Sequence, residues 1–175
     1  AFFLLSLLED SARLLIVGGG PKLESLKQQV KDFGLEDRVV FTGPVPSESI
    51  HHFYQASDVF VSSSIRESQG LGFVEAMASG LPVILCEDGS LGFSIEESGC
   101  GFLYHDERGF VTILSSLISN PADIKHMGER ARTESERFNL DRWAFSLSSL
   151  CCRLQAEFSL KVGDQSNQRG HDEQS

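Results

Sequence analysis

The chain of 175 residues has no surplus of positive charge: 15 Lys and Arg stand against 25 Asp and Glu, a formal net charge of −10. Phosphate backbones are bound by excess basic groups, so the balance argues against a nucleic-acid partner. It leaves room for a small anion, which local donors hold whatever the total charge. No apolar run is long enough to cross a bilayer. The opening AFFLLSLL has no basic segment before it and no small-residue cleavage site after it, so it does not read as a signal peptide. Nor does an initiator Met precede it. It reads as the end of a helix running to about Asp10, and the expectation is a fragment of a longer protein whose front half is missing.

Cysteine is scarce and unpatterned. Cys86, Cys100, Cys151 and Cys152 form no CxxC pair, and a bridge between the adjacent last two would be strained. Reduced thiols acting as small apolar residues, in a cytoplasmic protein, are expected. Metal-ligand spacing is also missing: His51 and His52 are neighbours in a predicted helix and His105 follows a predicted strand, so each reads as a solvated or half-buried side chain and no metal is expected. Two phosphate fingerprints fail as well. Gly18-Gly19-Gly20-Pro21 suggests a dinucleotide turn, but Leu23 occupies the place of the third glycine and no acidic residue closes the strand ending Phe41-Thr42-Gly43. There is no GxxxxGK[ST] loop. The glycine turn is left with two uses, a tight reversal or a backbone that admits a ligand.

What is present is an ordinary globular composition, 41% hydrophobic and 23% charged, in a length that suits one domain. RLLIVGGGP reads as a buried strand and turn over 13–21, with a helix over 22–34 whose Leu23, Leu26, Val30 and Phe33 share a face. Strands follow over 38–43, 58–64, 81–86 and 101–106. Helices are predicted over 46–57 and 71–79, then from Glu107 almost to the end, with breaks at Asn120-Pro121 and Phe138-Asn139. Asn139 or Asp141 would cap the last helix, where Trp143 reads as a packing anchor. The tail 161–175 has almost no apolar residues and is expected to be disordered. Domain limits are therefore 1–12 for the truncated helix, 13–160 for the globular domain and 161–175 for the tail. Continuously apolar strands alternating with helices imply an α/β domain with a doubly wound parallel sheet, Rossmann-like. In such sheets ligands bind beyond the carboxyl ends of the strands, where GGGP, TGPVP, SSSIRESQG and CEDGS all fall.

Among these loops RESQGLGFVEAMASGLP carries the most chemistry. Ser62-Ser63-Ser64 closes a strand, Glu67 lies in the loop, and Gly70 precedes a helix beginning at Leu71. Unpaired amides at that helix start, with the dipole's positive end, suit a phosphate. Glu75, a turn into the helix, is read as a buried carboxylate able to accept from two vicinal hydroxyls. Taken alone, each glutamate has a plainer use, Glu67 on the surface and Glu75 paired with some Arg.

With that stretch in hand, ESQGLGFVEAMASGLPVI resembles the E-x7-E signature of retaining glycosyltransferases of the GT-B fold, the glycosyl transferases group 1 family. LLIVGGGP, LEDRVVFTGPVP, FYQASDVFVSSS and RARTESERFNLDRWA are similar to the family's C-terminal domain in order and spacing, over roughly 13–158. The resemblance implies a nucleotide-diphosphate sugar as donor, a glycan or lipid acceptor held by a preceding N-terminal domain, retention of configuration, and no metal or other cofactor. It implies that Glu75 binds the ribose, that Glu67 is the catalytic residue contacting the donor sugar, that Ser68, Gln69, Gly70 and Leu71 line the phosphate- and sugar-binding turn, and that Gly19 and Val45 meet the donor. Membrane attachment would be peripheral, through the missing domain.

Two departures from the pattern stand out. The family's usual Gly-Phe-Gly after the first glutamate is Ser68-Gln69-Gly70 here, a variant similar to some lipid-glycosylating members. The family's Arg and Lys diphosphate clamp falls upstream of Ala1; Arg66 is the nearest basic residue and reads as solvated. Two rival readings are a noncatalytic nucleotide-sugar-binding module and a nucleotide-sugar epimerase of similar architecture, which the E-x7-E spacing and AMASGLP context disfavour.

Overall fold

Short apolar strands alternate with helices in a computed structural model, which describes residues 1–64, 71–87, 95–139, 148–151 and 153. The chain forms two compact units, Ala1–Glu136 and Arg137–Ser175. In the second, residues 148–151 are helical; Asp141, Trp143 and the tail 161–175 lie outside the described residues.

The first unit runs α1 (Phe2–Leu8), β1 (Leu14–Val17), α2 (Leu23–Asp32), β2 (Val39–Gly43), α3 (Ile50–Gln55), β3 (Phe60–Ser62), α4 (Leu71–Ala78), β4 (Val83–Cys86), α5 (Ile95–Ser98), β5 (Gly101–Tyr104), α6 (Glu107–Ser119) and α7 (Pro121–Ser135). All strand pairs are parallel, as apolar strands joined through helices require. They fall into two hydrogen-bonded sets, β1–β2 and β3–β4–β5, rather than the single sheet the alternation suggests. Among the described residues β1 and β3 share no ladder.

β4 shows why its sequence lacks polar alternation. Ile84 and Cys86 face a core built with Leu5 and Ala12 near the amino end, with Tyr104, and with Phe110, Val111, Leu114 and Leu117 of α6. Val83 and Leu85 face the opposite core, with Phe73, Ala76 and Met77 of α4, Ile95 of α5 and Ala131 of α7. Val83, Ile84, Met77 and Ile95 are completely buried, each contributing about 1.5–3 kcal/mol. The strand is apolar throughout because both of its faces are covered.

Breaks between helices follow local chemistry. Asp106 caps α6 by accepting from the Gly109 amide at 2.7 Å, and Pro121 opens α7 where its missing N–H costs nothing. The helix predicted over 46–57 is a 3-10 turn at Ser47–Ser49 followed by α3. The four-residue α5 has no counterpart in the predicted elements. Where α7 crosses α4, Gly128 lies directly against the Gly80 carbonyl, so a Cβ there would collide with backbone. Among the described residues, no helix is long and apolar enough to cross a membrane.

Candidate functional site

At the carboxyl ends of β1 and β2 the backbone closes on itself. The Gly18 amide donates to the Gly43 carbonyl at 3.0 Å, just past a register irregularity between Ile16 and Val17. Gly18 adopts φ +120°, which L side chains rarely take. At Gly19 a Cβ would stand 3.1 Å from the Pro44 ring, while nothing lies within 4 Å of one at Gly18 or Gly20. The turn is therefore packed against the TGPVP loop at one glycine and open at the two beside it. Gly19 and the half-buried Val45 thus come from loops in contact through Pro44.

The end of β3 is held by two further bonds. The Ser64 amide donates to the Ser62 hydroxyl at 3.2 Å, turning the chain, and the Tyr104 hydroxyl donates to the Ser62 carbonyl at 3.2 Å. Glu67, Ser68, Gln69 and Gly70, with Arg66, lie outside the described residues, as do Asp88 and Gly89.

Leu71, the first residue of α4, is 61% exposed. Gly72 packs its first turn inward: a Cβ there would contact Phe60 at 3.7 Å and the Tyr54 hydroxyl at 3.9 Å. Phe73, Ala76 and Met77 face the core, which leaves Glu75 on the outer side. Glu75 is exposed, correcting the expectation of a buried carboxylate: helical periodicity places 73, 76 and 77 on one face and 75 off it. Its partner is a tyrosine, not an arginine. The Tyr54 hydroxyl on α3 donates to Glu75 Oε2 at 3.1 Å. Burial first, and then the neighbouring Glu75 carboxylate, push the Tyr54 hydroxyl up to about 12. Tyr54 was not singled out from sequence; a half-buried tyrosine in an amphipathic helix needs a hydroxyl partner, and that was the available signal.

His105 follows β5 and is exposed, with Nε2 2.8 Å from Glu87 Oε2 just past β4. The rings of His51 and His52 on α3 are tilted at 43° with centroids 3.8 Å apart. Among the described residues no three His, Cys, Asp or Glu side chains converge as a metal site.

The model for the family described as glycosyl transferases group 1 matches residues 1–134. The chain belongs to that family. It is 37% identical over 119 residues to alpha-monoglucosyldiacylglycerol synthase of Streptococcus pneumoniae, covering 67% of this chain and 27% of that protein. Sucrose-phosphate synthase from Thermosynechococcus elongatus superposes with a TM-score of 0.74 at 28% identity, covering 89% of this chain and 42% of that one. Anabaena Alr3699/HepE in complex with UDP-glucose superposes at 0.67 with 25% identity, covering 85% and 44%. The fold is thus the Rossmann-like half of a GT-B glycosyltransferase, and the chain spans less than half the length of these relatives.

Proposed function

We propose that this chain holds a nucleotide-diphosphate sugar for a retaining glycosyltransferase, which passes the sugar to a hydroxyl of a glycan or lipid. The observation that carries this reading is Glu75: the second glutamate of the E-x7-E pattern stands solvent-exposed on α4 with its carboxylate tethered by Tyr54. An exposed, oriented carboxylate suits a vicinal diol, because each hydroxyl donates to a charged acceptor, the stronger class of hydrogen bond. The amides of the first turn of α4 would take the diphosphate and stabilise negative charge as it leaves. In this reading Glu67 contacts the donor sugar, Ser68, Gln69, Gly70 and Leu71 form the turn around it, and Gly19 and Val45 lie beside the nucleotide. No metal is assigned a step. A neighbouring structure in complex with UDP-glucose supports the donor class, and the family's E-x7-E pattern supports retention.

Similarity to alpha-monoglucosyldiacylglycerol synthase supports a lipid acceptor, and because these 175 residues span 27% of that protein, transfer by them alone is not expected. Titration calorimetry with UDP and GDP tests the reading. Glu75→Gln should weaken the nucleotide that binds by at least about tenfold, as loss of hydrogen bonds to a charged acceptor predicts. Equal affinity of the two proteins, or binding of neither nucleotide, removes the ribose role.

A further inference from the structure

Tyr54 and Glu75 come from different helices and are 21 positions apart, yet the phenol reaches the carboxylate from a fixed base. The Tyr54 ring lies against Phe60 of β3, centroids 6.1 Å apart and planes at 59°, and joins the edge of the core containing Phe73 and Met77. Its hydroxyl lies over the first turn of α4, 3.9 Å from where a Cβ at Gly72 would stand. The ring is therefore held by packing and the hydroxyl is aimed by the ring. Glu75, by contrast, is exposed and has three rotatable bonds. Unrestrained, such a side chain must give up rotamer freedom before it can grip a ligand. One hydrogen bond to Oε2 removes most of that freedom in advance and leaves Oε1 unengaged by this bond.

We infer that Tyr54 is a positioning residue, fixing one oxygen of Glu75 so that the carboxylate is presented in a single orientation to the vicinal hydroxyls of a nucleotide ribose. The inference rests on the reading that Glu75 binds ribose. The donor must be a neutral phenol to serve, and a hydroxyl pushed up to about 12 stays protonated throughout the physiological range. Phenylalanine at the same place keeps the ring packing and loses only the tether.

The test measures binding of UDP, GDP and their 2′-deoxy forms to the full chain by calorimetry, for wild type, Tyr54→Phe, Glu75→Asp and Glu75→Gln. For the nucleotide that binds, Tyr54→Phe should raise Kd roughly fivefold, as loss of one preorganising hydrogen bond implies. The ratio of 2′-deoxy to ribo Kd should contract, because a carboxylate free to turn no longer reads both hydroxyls together. Purely structural damage would weaken both nucleotides by one factor and leave the ratio unchanged. Glu75→Asp keeps the charge but draws it back from Tyr54, so it should contract the ratio too, and adding Tyr54→Phe to it should cost nothing more. If Glu75→Gln weakens binding while Tyr54→Phe and Glu75→Asp preserve both Kd and ratio, the positioning role fails and the ribose reading stands. If Glu75→Gln binds like wild type, or no nucleotide binds, the ribose reading itself fails and this inference with it.

Discussion

The hydroxyl of Tyr104 on β5 donates to the carbonyl of Ser62 at the end of β3, 3.2 Å away and across the intervening strand β4. A side chain thus ties the two outer strands of the three-stranded set at their carboxyl ends.

Tyr104→Phe isolates that tie. The ring would keep its edge-on contact with Phe110, centroids 5.2 Å apart, so only the hydroxyl is lost. One neutral hydrogen bond is worth about 1 kcal/mol, which at this chain length lowers Tm by about 2–4 °C. Denaturant unfolding should show the loss with an unchanged slope; full stability in the variant would mean that the bond contributes nothing net.

Two helical glycines should respond oppositely to alanine. At Gly128 the new methyl meets the Gly80 carbonyl, a backbone atom that cannot swing aside, so α7 must move off α4. Overpacking of this kind costs about 2 kcal/mol, more than the roughly 1 kcal/mol that alanine gains in a helix. At Gly72 the nearest atoms stand at 3.7 and 3.9 Å, ordinary contact, and the helix gain should survive. Gly128→Ala is expected to be less stable than wild type in chemical denaturation and Gly72→Ala equally or more stable. The reverse order would contradict the packing described.

These contacts mark where the sequence is readable. β4 was legible as a doubly covered strand because burial on both faces removes polar alternation from Val83 to Cys86. The α6–α7 boundary was legible because Pro121 cannot continue a helix. The lateral neighbours of β1 and β3 were not, since periodicity reports which way a side chain faces and not which strand lies beside it. The four residues of α5 are too few to show a period. Glu75 was singled out by its spacing from Glu67, but its exposure and its bond to Tyr54 arise from how α3 and α4 dock, and docking leaves no local pattern. The glycine turn was legible as a turn; that Gly19 packs on Pro44 required coordinates.

Thiol labelling separates the cysteines by burial. Cys100 is fully buried, its Sγ 3.0 Å from the Ser98 hydroxyl, and desolvation pushes its thiol up, so the reactive thiolate is withheld. Cys151 is exposed. In the native protein at neutral pH an aromatic disulfide reagent should modify Cys151 quickly and Cys100 only on unfolding, as peptide mapping would report. Rapid native labelling of Cys100 would mean that the core around Ile95 opens readily.

The chain holds two tyrosines, and both hydroxyls are raised above the ordinary value of 10.0, Tyr54 to about 12. Desolvation leads in each case, followed by the Glu75 hydrogen bond at Tyr54 and by Cys86 at Tyr104. In the unfolded chain both ionise near 10. Between 10 and the folded value the native state keeps a proton that the unfolded state has released, so stability falls as pH rises through that window and is intact below it. Tyrosinate absorbance of the folded protein should therefore rise late, above pH 10, and the fall in Tm should begin near pH 10, ahead of that rise. Tyr54→Phe should remove the higher-pH part of the absorbance rise and flatten the alkaline fall in Tm. Two tyrosines ionising together near 10 in the folded protein would show that neither hydroxyl is held as described.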